Sequence, residues 1–312
     1  MRKACVTVLV VSTTPSYLTA LVDDAAVFPP ARTPLSEAVA SHVRHRRAAY
    51  SAFVGPFVIG SDRLHELPPL VVATDSATPL SISVVCAADT EMITAAVRAA
   101  ATADRLSLAA LELRLAAADL PGQVRQSAAT CESLRRDGIL DRDVMVFAEA
   151  PRRDPQRASQ CDAALEAAAE AGVRLKFRTG GVAAEAFPSE QELAGAIVAA
   201  VSRGVPFKCT AGLHNAARHR DAATGFEHHG FLNVLLATSL AVEGAATADL
   251  SAMLAEVDGA TLASQVRSAG TAALADARHW FISFGACSVA EPLADLAQLG
   301  LLPQPTTPAE AR

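Results

Sequence analysis

Short apolar runs alternate along this chain with Ala- and Leu-rich segments of helical period. Apolar runs of roughly four to eight residues are typical of buried strands, and apolar positions repeated every three or four residues are typical of packed helices. The pattern predicts helices over 89–103, 156–171 and 189–202, the last with Ser189 as N-cap and Glu192 as its capping-box partner. It also predicts eight strands, which begin near Leu18, Ala52, Leu80, Leu108, Asp143, Val173, Val205 and Trp280.

Strands that alternate with helices predict a parallel sheet joined by right-handed crossovers. Eight such units favour an α/β fold, a closed (β/α)8 TIM barrel, as one domain over 1–303 with a flexible C-terminal tail at 304–312. A doubly wound open sheet is the structural alternative, although no G-x-G-x-x-G follows any of the predicted strands.

The spacing of the strands indicates one large insertion. The first seven strands start about 25–35 residues apart, the length of one βα unit, but roughly 75 residues separate the starts of the last two. We interpret the extra segment, about 214–278, as an expanded helical loop between strands seven and eight on the catalytic face. The sequence leaves open whether this segment is a lid over the site or the contact of a homodimer.

Composition narrows the classes of partner. Hydrophobic residues make up 51% of the chain, which is enough for a large core. The formal net charge is -6 and no basic cluster is interleaved with aromatic residues, so no nucleic-acid partner is expected. No apolar run approaches the roughly 18 residues of a membrane span. The six cysteines form no C-x-x-C pair and are expected to be reduced thiols of a cytoplasmic protein.

Charged residues within the apolar strands are the candidates for chemistry. The carboxyl ends of barrel strands line the active site, and alternate residues of a strand share a face. Glu112 in strand four, Glu149 in strand five, Lys176 in strand six and Lys208 in strand seven are therefore predicted to face one site. Arg178 and Thr210 share the faces of the two lysines, two residues nearer the strand ends.

Two lysines on adjacent strands indicate Schiff-base chemistry. Each ammonium group disfavours the charged form of the other, and partial burial acts in the same direction. A lysine made neutral in this way is a nucleophile for a carbonyl carbon, and Glu112 or Glu149 would transfer the protons. Lys176 taken alone is equally explained as half of an ion pair with one of these carboxylates.

Several segments resemble the class I aldolases of the deoxyribose-phosphate aldolase type. The segment L-K-F-R-T-G-G resembles that family's V-K-T-S-T-G-F, and F-K-C-T-A-G-L-H resembles V-K-A-S-G-G-I-R. The resemblance implies that Lys176 forms the imine and that Lys208 lowers the pKa of Lys176. L-E-L-R-L lies where the family has I-D-M-V, which implies that Glu112 replaces its proton-shuttling aspartate. V-D-D-A-A, which contains Asp23, lies where the family has I-D-H-T-L, and its longer form V-D-D-A-A-V-F-P-P-A also resembles a stretch of uncharacterised bacterial proteins.

The resemblance also implies a site for an anionic group of the substrate. F-G-A-C-S resembles the family's I-G-A-S-S, part of its phosphate site. Backbone N–H groups after the last strands commonly hold phosphate, and the arginine fork suits a carboxylate. The alternative reading is that these glycines only permit tight turns. Besides Asp23 and Thr210, the predicted substrate-binding residues here are Arg178, Gly180, Gly181, Gly212, Gly285 and Ser288.

Histidines give a competing signal. His214, just past Gly212, is a candidate for acid–base work or substrate contact. His229 and Asn233 would share a helix face at i, i+4 and cover the site. These histidines, with His219, His228 and the two glutamates, are residue types that bind catalytic zinc. However, the sequence has no H-E-x-x-H spacing. The sequence therefore predicts neither a metal nor another cofactor, and it assigns Cys209 and Cys287 to packing.

These features favour the hypothesis that the protein is a carbon–carbon lyase that forms a lysine imine with a small, anionic carbonyl substrate. One alternative is an imine-free barrel isomerase, decarboxylase or hydrolase that uses Lys, Glu and His as acids and bases, with or without a metal. Another is a non-catalytic barrel that binds a small anion, since barrels host many functions.

Overall fold

The chain folds into a closed barrel of parallel strands, as predicted. The computed structural model describes residues 14–74, 76, 78–149, 152 and 158–303, so the predicted tail at 304–312 lies outside the described residues. Each of the eight barrel strands starts within four residues of its predicted position. The strands of the described ranges are β1 (Val22–Asp24), β2 (Val54–Gly60), β3 (Leu80–Ala87), β4 (Leu106–Arg114), β5 (Met145–Glu149), β6 (Arg174–Arg178), β7 (Phe207–Thr210), β8 (His219–Arg220), β9 (Glu227–His228) and β10 (Phe281–Ala286).

Eight of these strands close the barrel in the order β1-β10-β7-β6-β5-β4-β3-β2, and β8 and β9 form a separate antiparallel hairpin. Every barrel pairing is parallel, and β1 closes the ring against β10. Closure excludes the doubly wound alternative, because an open sheet would leave β1 and β10 apart.

Helices connect the strands and cover the barrel. Asp89 caps the third helix through its side chain, and Ser189 with Glu192 forms the predicted capping box of the sixth. Gly172 and Gly204 have positive φ angles of 65° and 70° after their helices, as expected of left-handed C-caps. The α-helices are α1 (Leu35–Arg47), α2 (Leu67–Ala73), α3 (Thr90–Thr102), α4 (Leu120–Arg136), α5 (Ala158–Ala171), α6 (Glu190–Ser202), α7 (Phe231–Val242), α8 (Thr247–Ala255), α9 (Gly259–Trp280, non-helical at Gly270) and α10 (Ala290–Gln298). None of the helices in the described ranges combines the length and the apolar character needed to cross a bilayer.

The expanded helical segment between the last two barrel strands is present, but its helices do not form a lid. The first nine residues of α7 are all buried, because α7 packs on β10 and is covered by α6, α8 and α9. Phe231 of α7 stacks on Phe284 of β10 with ring centroids 5.1 Å apart. A helix that is apolar on all sides needs cover on all sides, so α8 and α9 thicken the outer helical layer. The short β8–β9 hairpin comes directly after β7.

Candidate active site

Five buried or nearly buried charged side chains meet inside the barrel. The Lys176 Nζ lies 2.8 Å from Glu112 Oε2 and 2.8 Å from Glu149 Oε2. The Lys208 Nζ lies 2.6 Å from Glu112 Oε1 and donates a second hydrogen bond to Asp23 Oδ2. The charges alternate in sign along the series Glu149, Lys176, Glu112, Lys208, Asp23, which we call the lysine cluster.

Strand register brings the lysine cluster together. Lys176 pairs directly with Lys208 across β6 and β7, and with Glu149 across β5 and β6. Because side chains alternate along a strand, both lysines point into the barrel while Phe177 and Cys209 point to the helical layer. Cys209 is fully buried there and burial raises its thiol pKa, which fits the predicted packing role.

Two serines complete the inner part of the cluster. Ser83 Oγ donates to Glu112 Oε1 at 2.6 Å, and Ser283 Oγ donates to Asp23 Oδ2 at 2.7 Å. The ammonium group of Lys208 also lies 5.3 Å from the centroid of the Phe147 ring. Each buried carboxylate therefore has a hydrogen-bond donor besides its lysine, as buried charges require.

The electrostatics of the cluster differ from those predicted. Burial alone would raise the pKa of Glu112, but Lys176 and Lys208 outweigh it and hold that pKa well below its usual range. Burial alone would lower the pKa of Lys208, but Asp23 and Glu112 outweigh it and raise that pKa. Burial raises the pKa of Asp23 despite the opposing pull of Lys208. Lys208 is thus held as a cation and Glu112 as an anion.

These contacts correct one step of the expected mechanism. We expected the two ammonium groups to repel one another directly, but Glu112 lies between them and binds both. The shared carboxylate cancels most of the repulsion, so proximity of the lysines does not by itself make one of them neutral. A neutral amine at Lys176 requires that a carboxylate take its proton.

Arg178 closes the series at the barrel mouth. Its Nε and Nη2 lie 3.1 Å and 3.0 Å from Glu149 Oε1, and its side chain is 48% exposed. Burial would raise the pKa of Glu149, but Lys176 and then Arg178 outweigh it and lower that pKa. Thr210 and Gly285 pair with one another beside Arg178, so these three residues form the next layer toward the strand ends.

Gly180 and Gly212 have a structural role. A Cβ on Gly212 would lie 2.8 Å from the carbonyl oxygen of Thr179 and 3.1 Å from the Cα of Gly180, and Gly212 has a φ of 78°. The loops after β6 and β7 therefore touch backbone to backbone. Gly181 lies against Ala186, where a Cβ would come within 2.7 Å of the alanine side chain. These positions fit the alternative reading of the glycines as residues that permit tight turns.

Gly212→Ala is expected to lower the free energy of unfolding by at least about 1 kcal/mol more than Gly204→Ala. Both glycines have positive φ, so both alanines carry a left-handed backbone cost of about 1–2 kcal/mol. Only Gly212 adds a clash, since a Cβ on Gly204 meets nothing within 4 Å. Urea unfolding midpoints of the two variants test this, and equal losses would contradict the proposed contact.

The remaining predicted residues lie apart from the lysine cluster. His229 is buried and its Nε2 lies 2.8 Å from the carbonyl oxygen of Pro188. The predicted helix face shared by His229 and Asn233 is wrong, because α7 begins at Phe231. Asn233 accepts a hydrogen bond from the Arg218 N–H and donates two to backbone carbonyls near the end of α8, so it fastens the insertion.

His214 contacts a different group of side chains. Its Nδ1 lies 2.7 Å from Glu291 Oε2, and its Nε2 lies 3.6 Å from Cys287 Sγ. Ser288, predicted to contact substrate, instead accepts a hydrogen bond from the Glu291 N–H at 3.3 Å, in the first turn of α10. Within the described residues, no three His, Cys, Asp or Glu side chains are grouped so as to hold a metal ion.

Sequence reasoning did not single out Ser83, Ser283 or Glu291, and it assigned Cys287 to packing. It also placed Asp23 among the substrate contacts, whereas the structure makes it the partner of Lys208. One unused signal pointed to the cluster. The chain has three lysines among its 27 lysine and arginine residues, and two of the three are Lys176 and Lys208.

The fold has a counterpart among solved structures. The chain is similar to the deoxyribose phosphate aldolase from Aeropyrum pernix, a protein described as tetrameric, with 13% sequence identity and a TM-score of 0.52. The similarity covers 93% of this chain and 94% of the aldolase. No protein-family model matches the sequence, and no curated protein matches it either. At this identity the similarity concerns the fold alone.

Proposed function

We propose that the protein is a class I aldolase-type lyase in which Lys176 forms an imine with a small carbonyl substrate. The single observation that carries the proposal is the lysine cluster, two buried amines bridged by one carboxylate inside an aldolase-like barrel. Lys208 acts as the fixed cation that keeps Glu112 ionised. Lys176 acts as the nucleophile, because its other carboxylate partner, Glu149, lies at the more exposed end.

The use of lysine supports an amine-specific role. Almost all basic residues of the chain are arginines. Its three lysines are Lys3, Lys176 and Lys208. Arginine makes stronger bidentate ion pairs and stays charged. If these two positions only had to form ion pairs, arginine would fill that role as well as lysine does. A primary amine differs from a guanidinium in that it becomes a carbonyl nucleophile once it loses a proton.

The contacts support one order of proton transfers. The Lys176 ammonium gives a proton to Glu149, and the amine attacks the carbonyl carbon. A proton moves from nitrogen to the former carbonyl oxygen, and protonated Glu149 then gives its proton to that hydroxyl, which leaves as water. The products are a protonated imine and ionised Glu149. Glu112 remains an anion throughout and stabilises the positive imine nitrogen.

Arg178 supplies the expected selectivity for an anionic substrate. Its guanidinium is half exposed above Lys176 and contacts one oxygen of Glu149. A substrate carboxylate or phosphate would compete for the same fork, which suits such groups bidentately. Binding there would also release Glu149 to accept the proton of Lys176.

Borohydride trapping tests the imine directly. The protein is incubated with acetaldehyde, reduced with borohydride and digested, and the peptides are searched for an N-ethyl group by mass spectrometry. The chain suits this measurement because its lysine amines are only Lys3, Lys176 and Lys208. A Lys3→Arg variant removes the background at the N-terminal lysine. We expect label at Lys176 and its loss in Lys176→Met.

Two outcomes would overturn the assignment. Label on Lys208 that persists in Lys176→Met would move the nucleophile to the other lysine. The absence of trapped adduct in the wild-type protein with acetaldehyde, acetone and pyruvate would favour the imine-free alternative. Glycolaldehyde phosphate against glycolaldehyde then tests the anionic preference, since Arg178→Gln should reduce labelling by the phosphate only.

A further inference from the structure

Three side chains at the ends of β7 and β10 form a connected group separate from the lysine cluster. Cys287 follows β10, and its Sγ lies 3.6 Å from Nε2 and 3.9 Å from Nδ1 of His214. The Nδ1 atom lies 2.7 Å from Glu291 Oε2. We propose that Cys287, His214 and Glu291 form a second catalytic site, a nucleophilic thiol that accepts the acyl group of small activated esters or thioesters.

The three residues are the types that an activated thiol requires. A nucleophile needs a base within reach and a third group that orients the base. Glu291 binds Nδ1 of His214, which places the ring proton there and leaves Nε2 as the acceptor. Because Cys287 Sγ lies nearly as close to Nδ1 as to Nε2, proton transfer to Nε2 requires the ring or the thiol to turn. Burial would lower the pKa of His214, but Cys287 and Glu291 outweigh it and raise that pKa, which strengthens the base.

The position of the thiol adds one donor for the developing oxyanion. Helix α10 begins at Ala290, three residues after Cys287, and the Ala290 N–H has no acceptor within the helix. The next two positions add none, because the Glu291 N–H donates to Ser288 Oγ and Pro292 has no N–H. An N–H donor such as that of Ala290 stabilises the negative oxygen formed when a nucleophile attacks an ester carbonyl. Ser288 already caps the Glu291 N–H, so it holds the start of the helix in place beside the thiol.

Three of the other described cysteines are buried away from solvent. Burial raises the pKa of both Cys86 and Cys131 to about 11, and Cys209 is fully buried in the helical layer. Cys161 is partly buried, as Cys287 is, but it lies on α5, where it lines an apolar cavity. Cys161 therefore serves as the control for partial exposure of a thiol.

The reaction balances with water as the second reactant. His214 takes the thiol proton while Cys287 Sγ attacks the ester carbon. The tetrahedral intermediate then loses the alcohol, which leaves with the proton from His214. Water gives a proton to His214 and attacks the thioester, the C–S bond breaks, and the thiolate regains a proton from His214. The net change is ester plus water to carboxylic acid plus alcohol.

Acetylation by p-nitrophenyl acetate tests the site in the full-length protein. We expect a burst of p-nitrophenol close to one equivalent per chain and a hydroxylamine-sensitive acetyl group on the Cys287 peptide. His214→Gln should slow acetylation of Cys287 at pH 7 by about 100-fold or more, and Glu291→Gln by about tenfold. Cys161→Ala should leave the burst unchanged, and Cys287→Ala should abolish it.

The pH profile separates base catalysis from mere exposure of the thiol. Because the neutral imidazole is the active form and its pKa is raised, acetylation should fall as the pH drops through a midpoint above 6.5. Glu291→Gln should move that midpoint down. His228 of the hairpin also interacts electrostatically with His214, so His228→Asn is measured alongside.

The proposal is wrong if Cys287 reacts no faster than Cys161, or if His214→Gln leaves its acetylation rate unchanged. Iodoacetamide labelling of Cys287 in the same variants checks that the thiol remains accessible. The outcome is independent of the imine, because Cys287→Ala should still give the borohydride adduct at Lys176. Loss of both activities in Cys287→Ala would instead indicate one shared site and contradict a separate thiol centre.

Discussion

Glu112→Gln is expected to lower the free energy of unfolding by about 3–5 kcal/mol, the usual cost of removing one partner from a buried ion pair. The Glu112 side chain is 2% exposed and contacts both ammonium groups, at 2.8 Å from Lys176 and 2.6 Å from Lys208. The amide keeps the shape but loses the charge, so the two lysines, with Asp23, Glu149 and Arg178, carry one excess positive charge in the barrel.

Two controls show that the loss comes from charge. Glu149→Gln should cost less, because Lys176 keeps Glu112 and the other partner of Glu149, Arg178, is 48% exposed and is solvated by water. Adding Lys176→Met to Glu112→Gln should restore stability, since it leaves Lys208 paired with Asp23 and Arg178 paired with Glu149. The double-mutant cycle should give a coupling of about 1–3 kcal/mol. A loss below about 1 kcal/mol for Glu112→Gln would show that the shared carboxylate is not the electrostatic centre.

The carboxylates of the lysine cluster also make the free energy of unfolding depend on pH in the acid range. The pKa of Glu112 is lowered in the folded state, so its contribution to stability is present above the unfolded pKa and is lost as the pH falls. Glu149 has a lowered pKa for the same reason and adds in the same direction. In Glu112→Gln this part of the acid dependence should disappear. Urea midpoints measured from pH 7 down to pH 3 in both proteins check the sign.

Local periodicity carried much of the prediction of the fold and part of the site. The alternation of β6 and β7 placed Lys176 and Lys208 on the barrel face from sequence alone, because the side-chain period of a strand is fixed. The same rule explains why Cys209, which was assigned to packing, lies on the opposite face. Turn and cap residues such as Ser189 and Gly204 act within a few residues of themselves, so they too could be predicted.

Contacts made by closure of the ring could not be predicted in this way. Asp23 binds Lys208 across 185 positions of sequence, because closure sets β1 beside β10. Ser283 reaches Asp23 for the same reason. The pairing of His214 with Glu291 depends on where the loop after β7 meets the start of α10, which no local pattern encodes. The spacing of the strands predicted the insertion, but the packing of its helix α7 against α6, α8 and α9 could not be predicted from any local pattern.

Lys176→Met is expected to reduce imine-dependent turnover by at least about 10³-fold, the scale on which loss of an activated nucleophile acts. The readout is exchange of the α-hydrogens of acetone in deuterated water, followed by NMR, because an imine forms its enamine whichever second substrate the enzyme uses. The variant should fold, since Glu112 keeps Lys208 and Glu149 keeps Arg178. Its stability should therefore fall far less than its activity.

Chemical rescue makes the assignment specific to one atom. Lys176→Cys treated with 2-bromoethylamine carries a side chain that again ends in a primary amine, and exchange should recover by at least about tenfold over the untreated variant. Lys176→Met given the same treatment is the control for alkylation of the native cysteines. Lys208→Met is not an equivalent test, because it leaves Asp23 buried without its cation and would lose stability together with activity. Exchange in Lys176→Met within threefold of the wild-type rate would end the case for an imine at this lysine.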